Sequence, residues 1–468
     1  MVYLRGGQKE GMQMAVLEDK NLIMARRVAE AVAAAGGRAY FVGGLVRDHI
    51  LGRENKDVDL EIHGITPQTL VRVLEPLGQV IKNGVSFGVF GLRSYEIDIA
   101  MPRKESFDGR GSRDFEDSVD PFLGCEKAAR RRDFTMNALM EDVLTGEVLD
   151  FFGGRADLQA GVIRQVDPAT FREDPLRVLR AAQFAARFGF SVAEETEALA
   201  ASLDLRDLAP ERVLGEVNKA LMKSPRPSVF FEELRRMHQL SPWFGEAEAL
   251  IGVPQSPEHH PEGDAWIHTM MVLDAAAALR SRAEYPEGFL FSALAHDFGK
   301  AVSTTEEGGR IRALGHEHTG VELARRFLRR ISKENRLERY VLNMVALHMK
   351  PNMEAAANST VKATMHMLDQ SVCPADLLLL AKADHFGKGD PEPYEETDAF
   401  LQERLSLYRQ RMALPFVQGR DLIEAGVQPG PDFTETLAYA HKLRLAGVPK
   451  EHALTQSLAY LRKLRREQ

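Results

Sequence analysis

The spacing of hydrophobic positions divides the chain into a front part of mixed period and a long helical remainder. Leu22 to Ala35 is alanine-rich and amphipathic, which predicts a helix closed by Gly36-Gly37. Ala39 to Val42 is a short apolar run that predicts a strand, and Leu45 to Leu51 has helical spacing that Gly52 stops. Asp57 to Glu61 alternates, so Asp57 and Asp59 share one strand face and Val58 and Leu60 the other. A helix over Pro67–Leu77 and strands over Phe87–Leu92 and Tyr95–Ala100 follow. Residues 102–121, PRKESFDGRGSRDFEDSVDP, have no period and mixed charge, and a loop of that length in a compact domain is usually functional or disordered. Lys127 to Met140 predicts a helix whose basic start turns apolar, and Asp150 to Gly161 a turn with a short helix.

From Asp167 onward the pattern is almost wholly helical. Phe171 to Phe190 is the strongest helix, with Pro175 in a first turn that tolerates it. Ala209–Lys223 and Ser228–Gln239 continue the series, and a proline- and histidine-rich loop, Pro254–Gly263, marks a domain boundary just before it. Ala265 to Ala383 is mostly helical again, and Pro391 to Pro393 opens a last segment that ends in a basic amphipathic helix.

At 468 residues the chain has room for about three domains, and 44% hydrophobic and 27% charged residues fit an ordinary globular protein. Two cysteines, Cys125 and Cys373, make no disulfide framework and no metal cluster, which predicts a reducing, cytoplasmic setting. No run approaches about 18 uninterrupted apolar residues, so neither a signal peptide nor a membrane span is expected. The net charge of −8 does not point to a polyanion, yet basic clusters occur at Arg130–Arg132, at Arg325-Arg326 with Arg329-Arg330, and at Arg462–Arg466. Each is either a solvated helix face or part of a basic lining.

The first chemistry-bearing stretch is RAYFVGGLVRDHILGRENKDVDLE, residues 38–61. Gly43-Gly44 allows a tight turn with backbone N–H groups exposed to a ligand, and Arg47 follows one turn into a helix whose positive end favours anions. Two carboxylates about 7 Å apart along one strand repel unless a cation sits between them. Hard oxygen ligands of this kind suit Mg²⁺, which prefers one or two carboxylates plus substrate phosphates. Gly44, Arg47 and Arg132, which has Asp133 beside it, can converge on a triphosphate, and metals at Asp57/Asp59 would activate a 3′-hydroxyl and neutralise pyrophosphate. An ordinary turn beside a solvated strand face is the plain alternative, and the order and close spacing of the features disfavour it. Asp98 is either a third carboxylate or an edge-strand aspartate.

Asp174 and Arg177 are three apart on the predicted helix, with Arg180 one step further round. They form either an intrahelical ion pair or a base-reading pair. An ionised Asp only accepts and an Arg only donates. Such a pair matches the Watson–Crick edges of cytosine and adenine and leaves guanine and uracil unpaired, with no template needed. In the helical half, His268, His296-Asp297 and Asp384 lie on apolar helices, where charge is costly unless paired or metal-bound. Imidazole and carboxylate together suit Ni²⁺, Mn²⁺, Co²⁺ or Mg²⁺. His316, His318 and His348 can complete a second metal or hold a phosphate.

Taken together, these residues resemble a bacterial CCA-adding tRNA nucleotidyltransferase of class II, in the DNA polymerase beta superfamily. The resemblance rests on residues 40–64, on RRDFTMNAL (131–139), on EDPLRVLR (173–180), on the His…His-Asp…Asp series within 268–384, and on PFVQGRDLIEAGVQPGP (415–431). It implies an α+β protein: a small mixed-sheet nucleotidyltransferase head (25–165) after an N-terminal extension (1–24), then an all-helical neck (166–253), an HD phosphohydrolase body (254–395) and a tail (396–468). Carried over by position, Gly44, Arg47, Arg132, Asp174, Arg177 and Arg180 would bind the nucleotide, and Asp57 and Asp59 would hold Mg²⁺. His268, His296, Asp297 and Asp384 would hold the HD metal, and the 102–121 loop would help the switch from C to A. Partners would be tRNA, CTP and ATP. Relatives that add only CC or only A, and a poly(A) polymerase, share the head motifs; an HD phosphohydrolase with an RNA-binding head is the reading from another class.

Overall fold

The protein is described here from a computed structural model, which covers residues 19–82, 89–104, 118–389 and 393–467. The chain forms two compact units, Met1–Asp207 and Leu208–Gln468, so the division falls inside the segment expected as the neck. Among the described residues, no helix is long and apolar enough to cross a membrane.

The first unit is built on a seven-stranded mixed sheet. Helix α1 (Lys20–Ala34) starts inside the expected N-terminal extension, because Asp19 caps it by accepting the Asn21 amide. Strand β1 (Arg38–Val42) runs into the Gly43 turn and α2 (Gly44–Ile50), and β2 (Val58–His63) into α3 (Pro67–Leu74). Three strands follow, β3 (Val80–Lys82), β4 (Val89–Leu92) and β5 (Ile97–Ala100). A short ladder of β6 (Arg103–Lys104) with β7 (Ser118–Val119) comes next. The functional expectation for the 102–121 loop rests on 105–117, which lie outside the described residues.

Lys127 to Met140 is not one helix. It divides into α4 (Cys125–Arg130), a 3₁₀ turn (Thr135–Asn137) and the start of β8 (Met140–Asp142). Asp133 takes the Phe134 amide and the Asn137 side chain, a local alternative to helical hydrogen bonds, and β1 supplies the edge on which β8 pairs. With β9 (Val148–Leu149), the strand order is β3-β4-β5-β2-β1-β8-β9, and only the β2–β5 pair is parallel. Strand alternation sends Val58, Leu60, Ile62, Ile97 and Ile99 to the face covered by Met24, Val28 and Val32 of α1. Asp59, Glu61 and Asp98 are thereby turned to the opposite face. Each such fully buried aliphatic contributes about 1.5–3 kcal/mol, which makes a one-residue register slip prohibitive.

The unit continues with α5 (Gly154–Ala160), β10 (Val162–Ile163), α6 (Pro168–Glu173), α7 (Leu176–Phe188), β11 (Ser191–Val192) and α8 (Glu194–Ala201). The helix predicted over Phe171–Phe190 is therefore two helices. Pro175 drives the residue before it out of the helical region, and Asp174 sits at φ −129°, ψ 93°.

The second unit is helical. It comprises α9 (Pro210–Lys223), α10 (Ser228–Arg236), α11 (Gly245–Glu248), α12 (Ala265–Leu279), α13 (Pro286–Ala295), α14 (Lys300–Ser303), α15 (His316–Ile331) and α16 (Asn335–Leu347). It ends with α17 (Lys350–Ala356), α18 (Val361–Gln370), α19 (Pro374–Phe386), α20 (Glu395–Ala413), α21 (Gly419–Glu424), α22 (Asp432–Leu445) and α23 (Lys450–Glu467). A hairpin interrupts the helices, β12 (Thr304–Glu307) with β13 (Arg310–Ala313). Its turn, Gly308-Gly309, has φ +58° and +74°, which glycine adopts without penalty. Helices α12, α13 and α19 pack on one another and are apolar nearly all round, so the few polar side chains they carry lie inside the unit.

Candidate active sites

In the first unit, the Gly43 turn stands at φ +68°, ψ −129°, a conformation a side chain would strain. A Cβ placed there would lie 3.4 Å from Arg132 Nη1 and 3.7 Å from Asp59 Oδ2, which puts the turn, the carboxylate and the guanidinium side by side. Asp59 pairs in register with Asp98 on the parallel neighbour. Its carboxyl is raised above the usual range by burial and then by the Asp98 charge; Arg132 opposes this and Asp57 adds to it. Crowded carboxylates of this kind are relieved by a cation, so Asp57, Asp59 and Asp98 can hold Mg²⁺ by their donor chemistry. As a trio their oxygens are not drawn as close together as the ligand atoms of the second unit described below. Asp57 itself lies just before β2 rather than in it. Arg132 also donates to Glu61 Oε2 at 3.1 Å. Burial would raise Glu61, but the hydrogen bond from His63 and the Arg132 charge more than offset it.

Arg47 is 3% exposed. Its Nε donates to Asp48 Oδ1 and its Nη1 to Asn137 Oδ1, both at 2.8 Å, and its guanidinium stacks 4.6 Å from the centre of the Phe188 ring. The structure thus seats Arg47 behind Gly44, tying α2 to the RRDFTMNAL segment and to α7. Asp133 is equally enclosed: it accepts from Arg180 Nε at 2.7 Å and Nη2 at 2.6 Å. Arg177 donates to the carbonyls of Thr170 and Arg131, both at 2.7 Å. Asp174 and Arg177 do not share a helix face as expected; Asp174 lies between α6 and α7, and its carboxylate accepts the Leu176 amide at 3.2 Å. The sequence signal for Asp133 and Asn137 lies within the RRDFTMNAL motif, whereas no motif marks Phe184 and Phe188.

The second unit brings His268 (α12), His296 and Asp297 (after α13) and Asp384 (α19) into one cluster. His268 Nε2 lies 3.0 Å from Asp384 Oδ1 and 3.7 Å from Asp297 Oδ2, and His296 Nε2 lies 3.2 Å from the same Asp297 oxygen. His268, His296 and Asp297 are at most 1% exposed. Glu262, which the sequence did not flag, accepts from His268 Nδ1 at 2.8 Å. Burial would lower the His268 pKa, yet the hydrogen bonds to Asp384 and Glu262 raise it to about 9. Asp297 is held well below the usual carboxylate range: burial opposes this, and the charges of His296 and Lys300 outweigh burial. His296 Nε2 and Asp297 Oδ2 are buried and take part in no aligned hydrogen bond, although the Lys300 ammonium stands 2.7 Å from that oxygen. Orphaned donor-set atoms at ligand separations fit a divalent metal. His316 and His348 face the other oxygen of Asp297, while His318 is 76% exposed and lies outside the cluster.

Residues 39–164 match the poly A polymerase head domain and residues 265–388 the HD domain. Those two matches define the class: a nucleotidyltransferase head on one chain with an HD unit, both of kinds that use divalent metals. The multifunctional CCA protein of Stenotrophomonas maltophilia is 38% identical over 420 residues, 87% of this chain and 99% of its own. That of Halorhodospira halophila is 37% identical over 427 residues, 88% of this chain and 98% of its own. The chain belongs to the multifunctional CCA protein family. In fold it resembles the Bacillus stearothermophilus CCA-adding enzyme solved with CTP (TM-score 0.67, 20% identity, 96% of this chain and 100% of that one). The Thermotoga maritima CCA-adding enzyme complexed with tRNA is similar too (TM-score 0.63, 19% identity, 96% and 98%).

Proposed function

We propose that the chain adds C, C and A without a template to the 3′ end of tRNA, from CTP and ATP with release of pyrophosphate. Its HD unit is a metal-dependent phosphohydrolase acting on 2′,3′-cyclic phosphate or 2′-phosphate ends. The observation that carries the transferase reading is the juxtaposition of the left-handed Gly43 turn, Asp59 beside Asp98, and the Arg132 guanidinium. Asp57, Asp59 and Asp98 would hold Mg²⁺, which when bound supplies activation of the 3′-hydroxyl and charge neutralisation at the leaving pyrophosphate. Arg132 supplies fixed positive charge at the turn where a triphosphate would lie. Asp174 and Arg177 would select the base by accepting from an exocyclic amine and donating to a ring nitrogen. For that, Arg177 has donors beyond the two given to the Thr170 and Arg131 carbonyls.

In the HD unit, His268, His296, Asp297 and Asp384 would hold Ni²⁺, Mn²⁺, Co²⁺ or Mg²⁺, whose chemistry there is to make water nucleophilic. Glu262 fixes the ring of His268. The assembled HD cluster disfavours a poly(A) polymerase, which we expect to lack one, and the complete Asp57-x-Asp59 disfavours a merely RNA-binding head. Such work on tRNA, with only two cysteines in the chain, supports a cytoplasmic setting. Trimmed tRNAs lacking one, two or three terminal nucleotides, followed by sequencing of the products, test the transferase reading. D57N/D59N is expected to lose addition by orders of magnitude and keep hydrolysis of a 2′,3′-cyclic nucleotide, and H296A/D297A to show the reverse. Near-normal CCA synthesis by D57N/D59N would sink the assignment.

A further inference from the structure

Four guanidinium groups gather on two stacked phenyl rings in the first unit. Phe184 and Phe188 lie 5.8 Å apart and 11° from parallel. Arg47, Arg53 and Arg187 stand 4.6, 4.8 and 5.1 Å from the centre of the Phe188 ring, and Arg180 stands 5.4 Å from that of Phe184. Two of the four are neutralised by a carboxylate, Arg47 by Asp48 and Arg180 by Asp133. Among the described residues, Arg53 and Arg187 form an ion pair with no carboxylate. We propose that Arg53 and Arg187 bind the β- and γ-phosphates of the incoming nucleotide, the pair that leaves as pyrophosphate. This rests on the transferase reading and deepens it.

Crowding of like charge is the first argument. A phenyl ring has two faces, yet three cations gather on this one, and like charges so close repel unless an anion joins them. Asp48 cannot serve them all: it is 2% exposed, and its two oxygens already accept from Arg47 and, at 2.7 Å, from Asn55. The Arg187 guanidinium is held below its ordinary pKa by burial and then by the Arg47 charge, to which Arg53 adds; Asp48 and Asp57 act against this. Both cations are also within reach of a ligand, since Arg53 is exposed and Arg187 half-buried. A guanidinium offers a planar fork of donors that matches phosphate oxygens.

Placement along α7 says which phosphates these are. Positions 177, 180, 184 and 187 share one face of that helix. Arg187 lies ten residues beyond Arg177, about 15 Å along the axis, comparable to the length of an extended nucleoside triphosphate. Base reading at Asp174 and Arg177 therefore leaves the far end of the nucleotide beside Arg187. Arg53 comes to the same ring from the end of α2, its amide fixed by the Asp48 carbonyl at 2.8 Å. Asp57, four residues on, would hold the Mg²⁺ that such phosphates carry. A backbone phosphate of the RNA has the same chemistry, and the test separates the two.

The test uses the full-length chain in Mg²⁺, with far-UV circular dichroism confirming that each variant folds. CTP, CMP and inorganic pyrophosphate are titrated calorimetrically, and trimmed tRNA by filter binding. R53A and, separately, R187Q should weaken CTP and pyrophosphate about 10–100-fold and leave CMP and tRNA affinities as they were. R53E should weaken them further, and R187K, which keeps the charge, should recover most of the loss. Arg53 is exposed, so R53A opens no core, and unchanged pyrophosphate affinity in that variant overturns the proposal. Equal weakening of CMP and CTP would make the cluster structural and overturn it too. A loss confined to tRNA would give the site to the RNA backbone instead. A wild-type chain that adds no CCA sinks the transferase reading, while the pyrophosphate titration still decides this one. A chain that adds CCA, with R53A unaltered towards pyrophosphate, sinks this proposal alone.

Discussion

Replacing Arg180 by Ala is expected to destabilise the first unit and leave the second untouched. Asp133 is 8% exposed and, among the described residues, keeps the Phe134 amide at 2.8 Å and Asn137 Nδ2 at 3.0 Å once the guanidinium is gone. Removing one partner of a buried ion pair typically costs about 3–5 kcal/mol. The Arg180 side chain is 31% exposed, so water can partly replace it, and about 2–3 kcal/mol is the working figure. For a unit of some 200 residues that lowers the melting midpoint by roughly 5–10 °C. The pH dependence has a definite sign. Burial would raise the Asp133 carboxyl, but the Arg180 charge and the hydrogen bonds from Asn137 and Arg180 hold it below its ordinary value. A depressed folded pKa contributes stability that is present above the unfolded value of about 3.9 and is lost as pH falls through the folded value. The penalty of R180A should therefore be full at pH 7 and shrink below about pH 4. Both tryptophans, Trp243 and Trp266, belong to the second unit, so fluorescence melting follows that unit alone while far-UV circular dichroism follows both. An early dichroism step with unchanged fluorescence is expected; a wild-type dichroism profile at pH 7 refutes the reasoning.

Asp174→Ala or Arg177→Ala should relax discrimination against UTP and GTP more than it slows addition of the correct nucleotide, as read from single-nucleotide incorporation on trimmed tRNA. Equal slowing for all four nucleotides would assign the pair a structural role, which the carbonyl contacts of Arg177 already make available. Glu262→Gln removes the carboxylate that orients His268, so metal affinity at the HD cluster should fall about 10–100-fold by calorimetric titration while CCA addition is unchanged. Unaltered affinity would mean that Asp384 alone suffices to hold that ring.

The sequence by itself determined the elements whose periodicity is unambiguous and the residues whose chemistry is costly anywhere but at a site. Alternation in 57–61 turned Asp59 away from Val58 and Leu60, and the apolar stretches around His268, His296-Asp297 and Asp384 made ionisable side chains there expensive unless paired or metal-bound. Gly308-Gly309 between alternating residues is an equally local signal for the hairpin.

Tertiary structure decided what depends on partners distant in sequence. The break at Asp174-Pro175 follows from a proline rule, yet Arg177 could be placed only once Arg131 and Thr170, 46 and 7 residues away, offered their carbonyls. For Arg47, spacing shows where the side chain starts, not what packs around it. Asn137, 90 residues on, and Phe188 of α7 enclose it. Asp98 became a companion of Asp59 through a parallel strand register that no local pattern encodes. The two-sided use of Asp297 was likewise invisible: which oxygen meets which imidazole depends on four helices closing on one carboxylate. Local physics writes periodicity and chemical type into the chain, whereas the sharing of one group by several others exists only after the elements have packed.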